Sequence, residues 1–238
     1  MTLFNPNTLH LHALRARKSF EDHAFLFKHV SQELEERAVG MKKSFNHVLE
    51  ISPHSLQGST HVSEEEGRGL KKNSFDLILS FLLAHWMNDL PGFLTNIQAS
   101  LRADGLFLGA LWGGNTLYEL RESLLSAELT LTGGASPRVI PMLQPSDAPL
   151  LLKRAGFLNP IVDTEVLTVT YPSLISLMKD LRGMGETNKL TDRLKTFTPR
   201  HLFKEAEEEY LTSFGLKDGS IPATFEVIYL TGWRRAAT

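Results

Sequence analysis

The segment Phe75-Asp76-Leu77-Ile78-Leu79-Ser80 most restricts the fold, because its apolar residues occupy consecutive positions and therefore both faces of a strand. Such a strand needs cover on each side, which a parallel sheet between helices provides. The rest of the chain supplies that cover. Thr8 to Lys18 reads as a basic amphipathic helix, and Asp22 to Ala38 repeats Phe25, Leu26, Val30 and Leu34 at helical spacing behind an Asp22 cap, with Gly40 closing it. Val48-Leu49-Glu50-Ile51 is a short strand that ends at Ser52-Pro53, since proline cannot donate to a ladder. A helix runs from Leu90 to Leu101 behind Asn88 or Asp89, with Pro91 in its first turn, and the turn Ala103-Asp104-Gly105 leads into a strand over Leu106 to Leu111.

Further on, Thr116 to Leu131 is helical with Leu117, Leu120, Leu124 and Leu125 on one side, and a helix opened by Ser146 stops at Gly156. Two late strands, Ile161 to Thr170 and Thr224 to Trp233, enclose helices over Ser173 to Met184 and Pro199 to Ser213. Strands alternating with helices predict a mostly parallel α/β sheet with helices on both faces. No linker or repeat divides the 238 residues, which are read as one domain. Its parts are N-terminal helices over 1–44, a short middle over 45–112 and a long remainder over 113–238.

Charge and composition remove several function classes. Lysine and arginine number 25 against 27 acidic residues, a net charge of −2, so no broad basic face for nucleic acid is expected. The absence of cysteine excludes disulfides, thiolate-ligated zinc, iron–sulfur clusters and thiol catalysis. No apolar run reaches the roughly 18 residues of a membrane-spanning helix, and Met1 to Arg17 lacks the apolar core of a secretory signal. No Gly-x-Ser-x-Gly, Walker loop or His-Glu-x-x-His is present. His54 and His61 near Glu64-Glu65-Glu66 match no recurrent metal spacing and read as surface groups; no metal site is assigned. His10 and His12, two apart, do not share a helix face.

In open α/β sheets ligands bind beyond the carboxyl ends of the strands, which directs attention to the residues after Ile51, Ser80 and Leu111. Several segments there carry a resemblance. Val48 to Ile51 is similar to the opening strand of class I S-adenosylmethionine (SAM) methyltransferases. Phe75 to Ser80, His85 to Pro91 and Leu101 to Phe107 look like that fold's fourth strand, its helix and its fifth strand. Gly113-Gly114-Asn115-Thr116-Leu117-Tyr118-Glu119-Leu120-Arg121 resembles the BioC-like branch. Tyr171-Pro172, Met178 to Asn188 and Asp218 to Thr224 resemble the mitochondrial complex I assembly factors of arginine hydroxylase type and their alphaproteobacterial relatives.

The resemblance implies a class I methyltransferase-like (Rossmann-like) fold, SAM as cofactor, and cofactor contacts from Glu50, Ser52, His54, Ser80 and Phe81. It places His85, Trp86, Tyr118 and Arg121 toward substrate, with packing roles open for all four; no catalytic residue is assigned. It also implies a bacterial cytoplasmic protein without a transmembrane segment, working on a protein partner such as a complex I subunit and reaching the inner membrane through it.

The departures lie in the cofactor half. The family's three loop glycines are replaced by Ser52, His54 and Leu56, with Pro53 between them. About 23 residues separate Ile51 from Phe75, where two further βα units would need roughly 50. The fold is therefore truncated after the first strand. One of Glu64 to Glu66 stands where the ribose-binding acid would fall, although a solvated charge run in a surface loop is the favoured reading. A non-glycine residue in a left-handed position costs about 1–2 kcal/mol, and lost ribose hydrogen bonds about 1.5–3 kcal/mol. Together they weaken binding by roughly 10²–10³. Two readings follow: a SAM-dependent enzyme transferring methyl or supporting arginine hydroxylation, or a non-catalytic relative that keeps the partner-facing half. Hydroxylation calls for an oxidant such as iron, and the sequence fixes no two-histidine, one-carboxylate set.

Overall fold

The structure is a computed structural model that describes residues 2–53, 60–61 and 69–236. In chain order the helices are α1 (Pro6–Ala16), α2 (Phe20–His23), α3 (Phe25–Gly40), α4 (Leu90–Ser100), α5 (Tyr118–Thr132), α6 (Ala148–Arg154), α7 (Leu174–Gly183) and α8 (Arg200–Phe214). The strands are β1 (Val48–Ser52), β2 (Thr60–His61), β3 (Phe75–Phe81), β4 (Leu101–Trp112), β5 (Leu158–Tyr171) and β6 (Ile221–Trp233), in the sheet order β2-β1-β3-β4-β6-β5. Two compact units form. One contains residues 2–24, Asn115–Met142 and Val166–Glu226; the other contains the described residues of Phe25–Gly114, Leu143–Glu165 and 227–236.

In the second unit, β2, β1, β3 and β4 run parallel, and β6 pairs antiparallel with β4 from Leu106↔Trp233 to Trp112↔Val227. The double-sided apolar pattern of β3 is satisfied as the sequence requires. Ile78 joins Leu49, Ile51, Phe107 and Leu111 in a core with Phe93, Leu94 and Ile97 of α4 and Leu152 of α6. Helix α3 packs on β3 and β4 through buried Leu26, Phe27, Val30 and Leu34. Each such side chain contributes about 1.5–3 kcal/mol on burial. Leu26, Val30 and Leu34 are buried as expected, while Phe25 is 42% exposed and Phe27 takes its place in the core. The helix begins at Phe25 because Ala24 breaks it from α2, and Asp22 lies inside α2 rather than capping.

Local chemistry explains the other boundaries. Asp89 caps α4 by accepting from the Gly92 amide at 2.9 Å, and a Cβ at Gly92 would lie 2.1 Å from that carboxylate. At its other end Arg234 donates to the carbonyls of Ala99 and Leu101, a favourable place for a cation. The Ala103-Asp104-Gly105 turn is absorbed into β4: Asp104 takes φ 60°, and the pairing with β3 shifts register between Phe75 and Leu77. Gly156 ends the α6 region at φ +92°, the left-handed closure its sequence position predicts. Between β1 and β3 the described residues contain the two-residue β2; residues 54–59 and 62–68, where the sequence expects a shortened cofactor half, lie outside the described residues.

The first unit is helical around the outer parts of β5 and β6. Asn5 caps α1 through the Thr8 amide, and Ser173 caps α7 through the Ser176 amide. Leu202, Ala206 and Tyr210, spaced by four, form the buried stripe of α8, and the Tyr210 hydroxyl donates to Pro222 O at 2.7 Å. On α5, Leu120 and Leu124 are buried while Leu125 is exposed, so the expected four-leucine side is narrower by one. Among the described residues no helix is long and apolar enough to cross a membrane.

Candidate functional site

The carboxyl ends of β1, β3 and β4 in the second unit are where a parallel sheet presents a ligand crevice. Successive side chains alternate faces, so Glu50, Ser52 and Phe81 lie on one face, while Ser80, paired with Ile51 and Gly109, lies on the other with Ile78. The sheet thus divides the expected cofactor residues. Glu50 is half-buried; loss of water first, and the like charge of Glu35 second, raise its carboxyl above the ordinary value. Ser52 and Phe81 are buried.

Two features mark the end of β3. The Ser80 hydroxyl is buried without a hydrogen-bond partner, an arrangement that costs about 1–3 kcal/mol unless something outside the chain meets it. Two residues later Leu82, fully buried, takes φ 44°, held there by its amide donating to Ala110 O at 2.9 Å. Left-handed backbone at a non-glycine residue costs about 1–2 kcal/mol and accumulates at functional sites. Neither Leu82 nor the Ser80 hydroxyl's isolation is signalled by residue type. Next, a single 3-10 turn over Ala84–Trp86 sets the His85 ring 5.2 Å from Trp86 and 6.2 Å from Trp112. All three are buried, so His85 and Trp86 pack together with the end of β4.

The fit of SAM can be tested on these residues. The described end of β1 supplies Ser52 and Pro53 where glycines would let the cofactor approach, and Ser52 is already fully buried with its Cβ in place. Strand β2 is described over Thr60–His61. His54 and Glu64 to Glu66 lie outside the described residues, as does the side chain of His61. The described residues therefore do not fit the glycine turn that the resemblance implies, and the acid it expects falls outside the described residues. Among the described residues no cluster of three His, Asp or Glu side chains gathers for a metal either.

Tyr118 and Arg121 belong to the first unit. Tyr118 meets Phe214 edge-on at 5.7 Å, and Arg121 donates to Thr116 O at 3.1 Å. Burial, then the neighbouring Glu119 charge, raise the Tyr118 phenol. Around them the two motifs that carried the resemblance meet in one polar lock. Glu119 accepts from the Thr224 hydroxyl and amide, and Glu226 accepts from the Asn115 amide and side chain. The Thr116 hydroxyl donates to Glu226 O, and its oxygen accepts from the Glu226 amide. The Leu117 amide donates to Thr224 O at 2.7 Å, which fixes Leu117 in a left-handed conformation at the start of α5. Sequence reasoning quoted these residues and did not assign Glu119, Thr224 or Glu226 a role; their separation by over a hundred positions hides the pairing.

Comparison with known proteins places the chain among relatives. Residues 28–109 match the methyltransferase domain family. The chain is 40% identical over 207 residues to the mitochondrial arginine-hydroxylase NDUFAF5 of Danio rerio, covering 87% of this chain and 64% of that protein. The Homo sapiens counterpart is 39% identical over 214 residues, covering 87% and 61%. A malonyl-[acyl-carrier protein] O-methyltransferase of Xylella fastidiosa (strain M23) is 37% identical over 163 residues, covering 67% and 52%. The chain thus spans under two thirds of the length of these relatives. A crystal structure from Bacillus halodurans C-125, described as a methyltransferase, shares the fold at TM-score 0.52 and 12% identity, covering 85% of this chain and 99% of that one.

Proposed function

Because this chain belongs to the class I methyltransferase superfamily and is related both to the NDUFAF5 arginine hydroxylases and to the malonyl-[acyl-carrier protein] O-methyltransferases, we propose that it acts on a protein partner, an arginine-bearing complex I subunit, as an assembly factor that holds SAM weakly. One observation carries the reading: the relation to the hydroxylases extends over 87% of the chain, while the described residues after β1 run into Ser52-Pro53 and a strand of two residues. The relation to the hydroxylases thus spans most of the chain, while Ser52 and Pro53 stand where the resemblance implies glycines.

Physical accounting supports the weakness. A methyl donor held only by the sheet edge lacks the close backbone approach and the ribose carboxylate, a deficit of roughly 10²–10³ in affinity. Calorimetric titration with SAM and S-adenosylhomocysteine is the test, together with binding of the protein to a purified arginine-bearing complex I subunit. We expect dissociation constants for both nucleosides above about 100 μM and saturable subunit binding. Low-micromolar SAM binding overturns the cofactor part; absence of subunit binding overturns the partner part.

A further inference from the structure

In the first unit, the start of the chain and the segment after α7 are tied together. The Asn5 amide donates to Lys189 O at 3.0 Å, the Thr191 amide to Leu3 O at 2.9 Å, and Phe4 bridges Leu190 in antiparallel fashion. The Thr187 hydroxyl meets His12 Nδ1 at 2.8 Å. These ties collect cations from three stretches of chain. Arg15 is one turn beyond His12 on α1, Arg182 is in the last turn of α7, and Lys189 and Arg193 flank Leu190.

The cluster is built rather than loose. Lys189 is only 5% exposed, and Arg193 is held by donation from Nη1 to Leu190 O at 3.0 Å. Glu186 is the acid that acts on Lys189. Among the described residues, Arg15, Arg182 and Arg193 make no ion pair with a carboxylate. The electrostatic result is visible at His12: burial, then Lys189, Arg15, Arg193 and Arg182, lower its pKa to about 4, so the ring is neutral at pH 7. Burial likewise lowers Lys189 to about 8. Gathering cations in a chain of net charge −2 is unfavourable unless an anion offsets it. When Thr187 donates to Nδ1, the His12 Nε2–H remains as a further donor.

We propose that His12, Arg15, Arg182, Lys189 and Arg193 form a binding site for a phosphate dianion, free or as a monoester. A tetrahedral oxyanion presents acceptors in several directions, which suits donors arriving from α1, from the end of α7 and from the following segment; guanidinium and ammonium donors give it charge-assisted bonds. The proposal does not depend on the reading given for the sheet-edge residues.

The test uses the full chain, with inorganic phosphate and phenyl phosphate titrated at fixed ionic strength while the His12 ring proton is followed by NMR. We expect saturable binding tighter than about 1 mM and a His12 pKa raised by about one unit or more, because an adjacent anion favours the protonated ring. Arg15→Gln and Arg182→Gln, both at exposed positions, each weaken binding by about tenfold with an unchanged thermal midpoint. Equal affinity for both probes identifies a phosphoryl group as the recognised unit, and preference for inorganic phosphate identifies the free ion; either supports the proposal. No His12 response up to about 20 mM phosphate, or binding untouched by both substitutions, overturns it.

Discussion

At the level of single residues, the polar lock in the first unit has the sharpest energetic consequences. Glu119 is almost fully buried, and its two oxygens serve the amide and hydroxyl of Thr224, at 3.2 and 2.5 Å. Removing the carboxylate leaves two buried donors unmet, and each costs about 1–3 kcal/mol. Glu119→Ala is therefore expected to lower unfolding stability in urea by about 2–4 kcal/mol, whereas Glu119→Gln, which retains one acceptor oxygen, loses less than half of that. A change under about 0.5 kcal/mol for the alanine variant would show that Thr224 finds other partners. The residues involved explain why the sequence shows so little of this. Glu119 and Thr224 are ordinary in type and far apart in the chain, so composition and periodicity contain nothing of their contact; the family-like segments marked their neighbourhood without their role.

Among the elements, α5 shows how one helix organises the loop after it. Glu128 lies near its end and accepts from the Ser136 amide and hydroxyl at 2.7 Å and from Arg138 Nε at 2.8 Å. Burial alone would raise its pKa, but the Ser136 bonds and the Arg138 charge outweigh it, and the carboxyl is held below its ordinary 4.5. A lowered folded pKa contributes stability that is complete above 4.5 and is lost as pH falls through the folded value. Unfolding stability should decline as pH drops below about 4.5, and Glu128→Gln should flatten that decline while lowering stability at pH 7. An unchanged acid limb in Glu128→Gln assigns the acid sensitivity to other carboxylates. Element positions were largely legible, since apolar runs, Asp89, Ser173 and Gly156 fixed most strands and ends within a few residues. The misses are local: Phe25 and Phe27 flank Leu26 on either side of the α3 stripe and it is Phe27 that is buried, and Asp104 accepts a left-handed backbone that keeps β4 continuous.

Over the whole molecule, a class I cofactor cradle is a distributed object. It needs a tight turn after one strand, an acid after the next and a third strand end, all placed by the same sheet. The described residues provide β1 and β3 side by side, with β2 described over Thr60–His61. The interval of about 23 residues between Ile51 and Phe75 is what makes the sequence predict a shortage here. The unpartnered Ser80 hydroxyl and the strained Leu82 were not legible, because isolation and backbone strain are set by neighbours instead of residue type. Restoring the turn alone should then leave most of the deficit. A chain carrying Ser52→Gly, His54→Gly and Leu56→Gly is expected to gain about 5–30-fold in SAM affinity, since it regains backbone approach while the ribose hydrogen bonds stay missing. Replacing the whole interval between β1 and β3 by the corresponding stretch of a malonyl-[acyl-carrier protein] O-methyltransferase should recover about 10²-fold or more. Calorimetry on the two variants separates the accounts: low-micromolar binding by the three-glycine chain would mean that the short interval already holds every other contact, and that the turn alone limits cofactor binding.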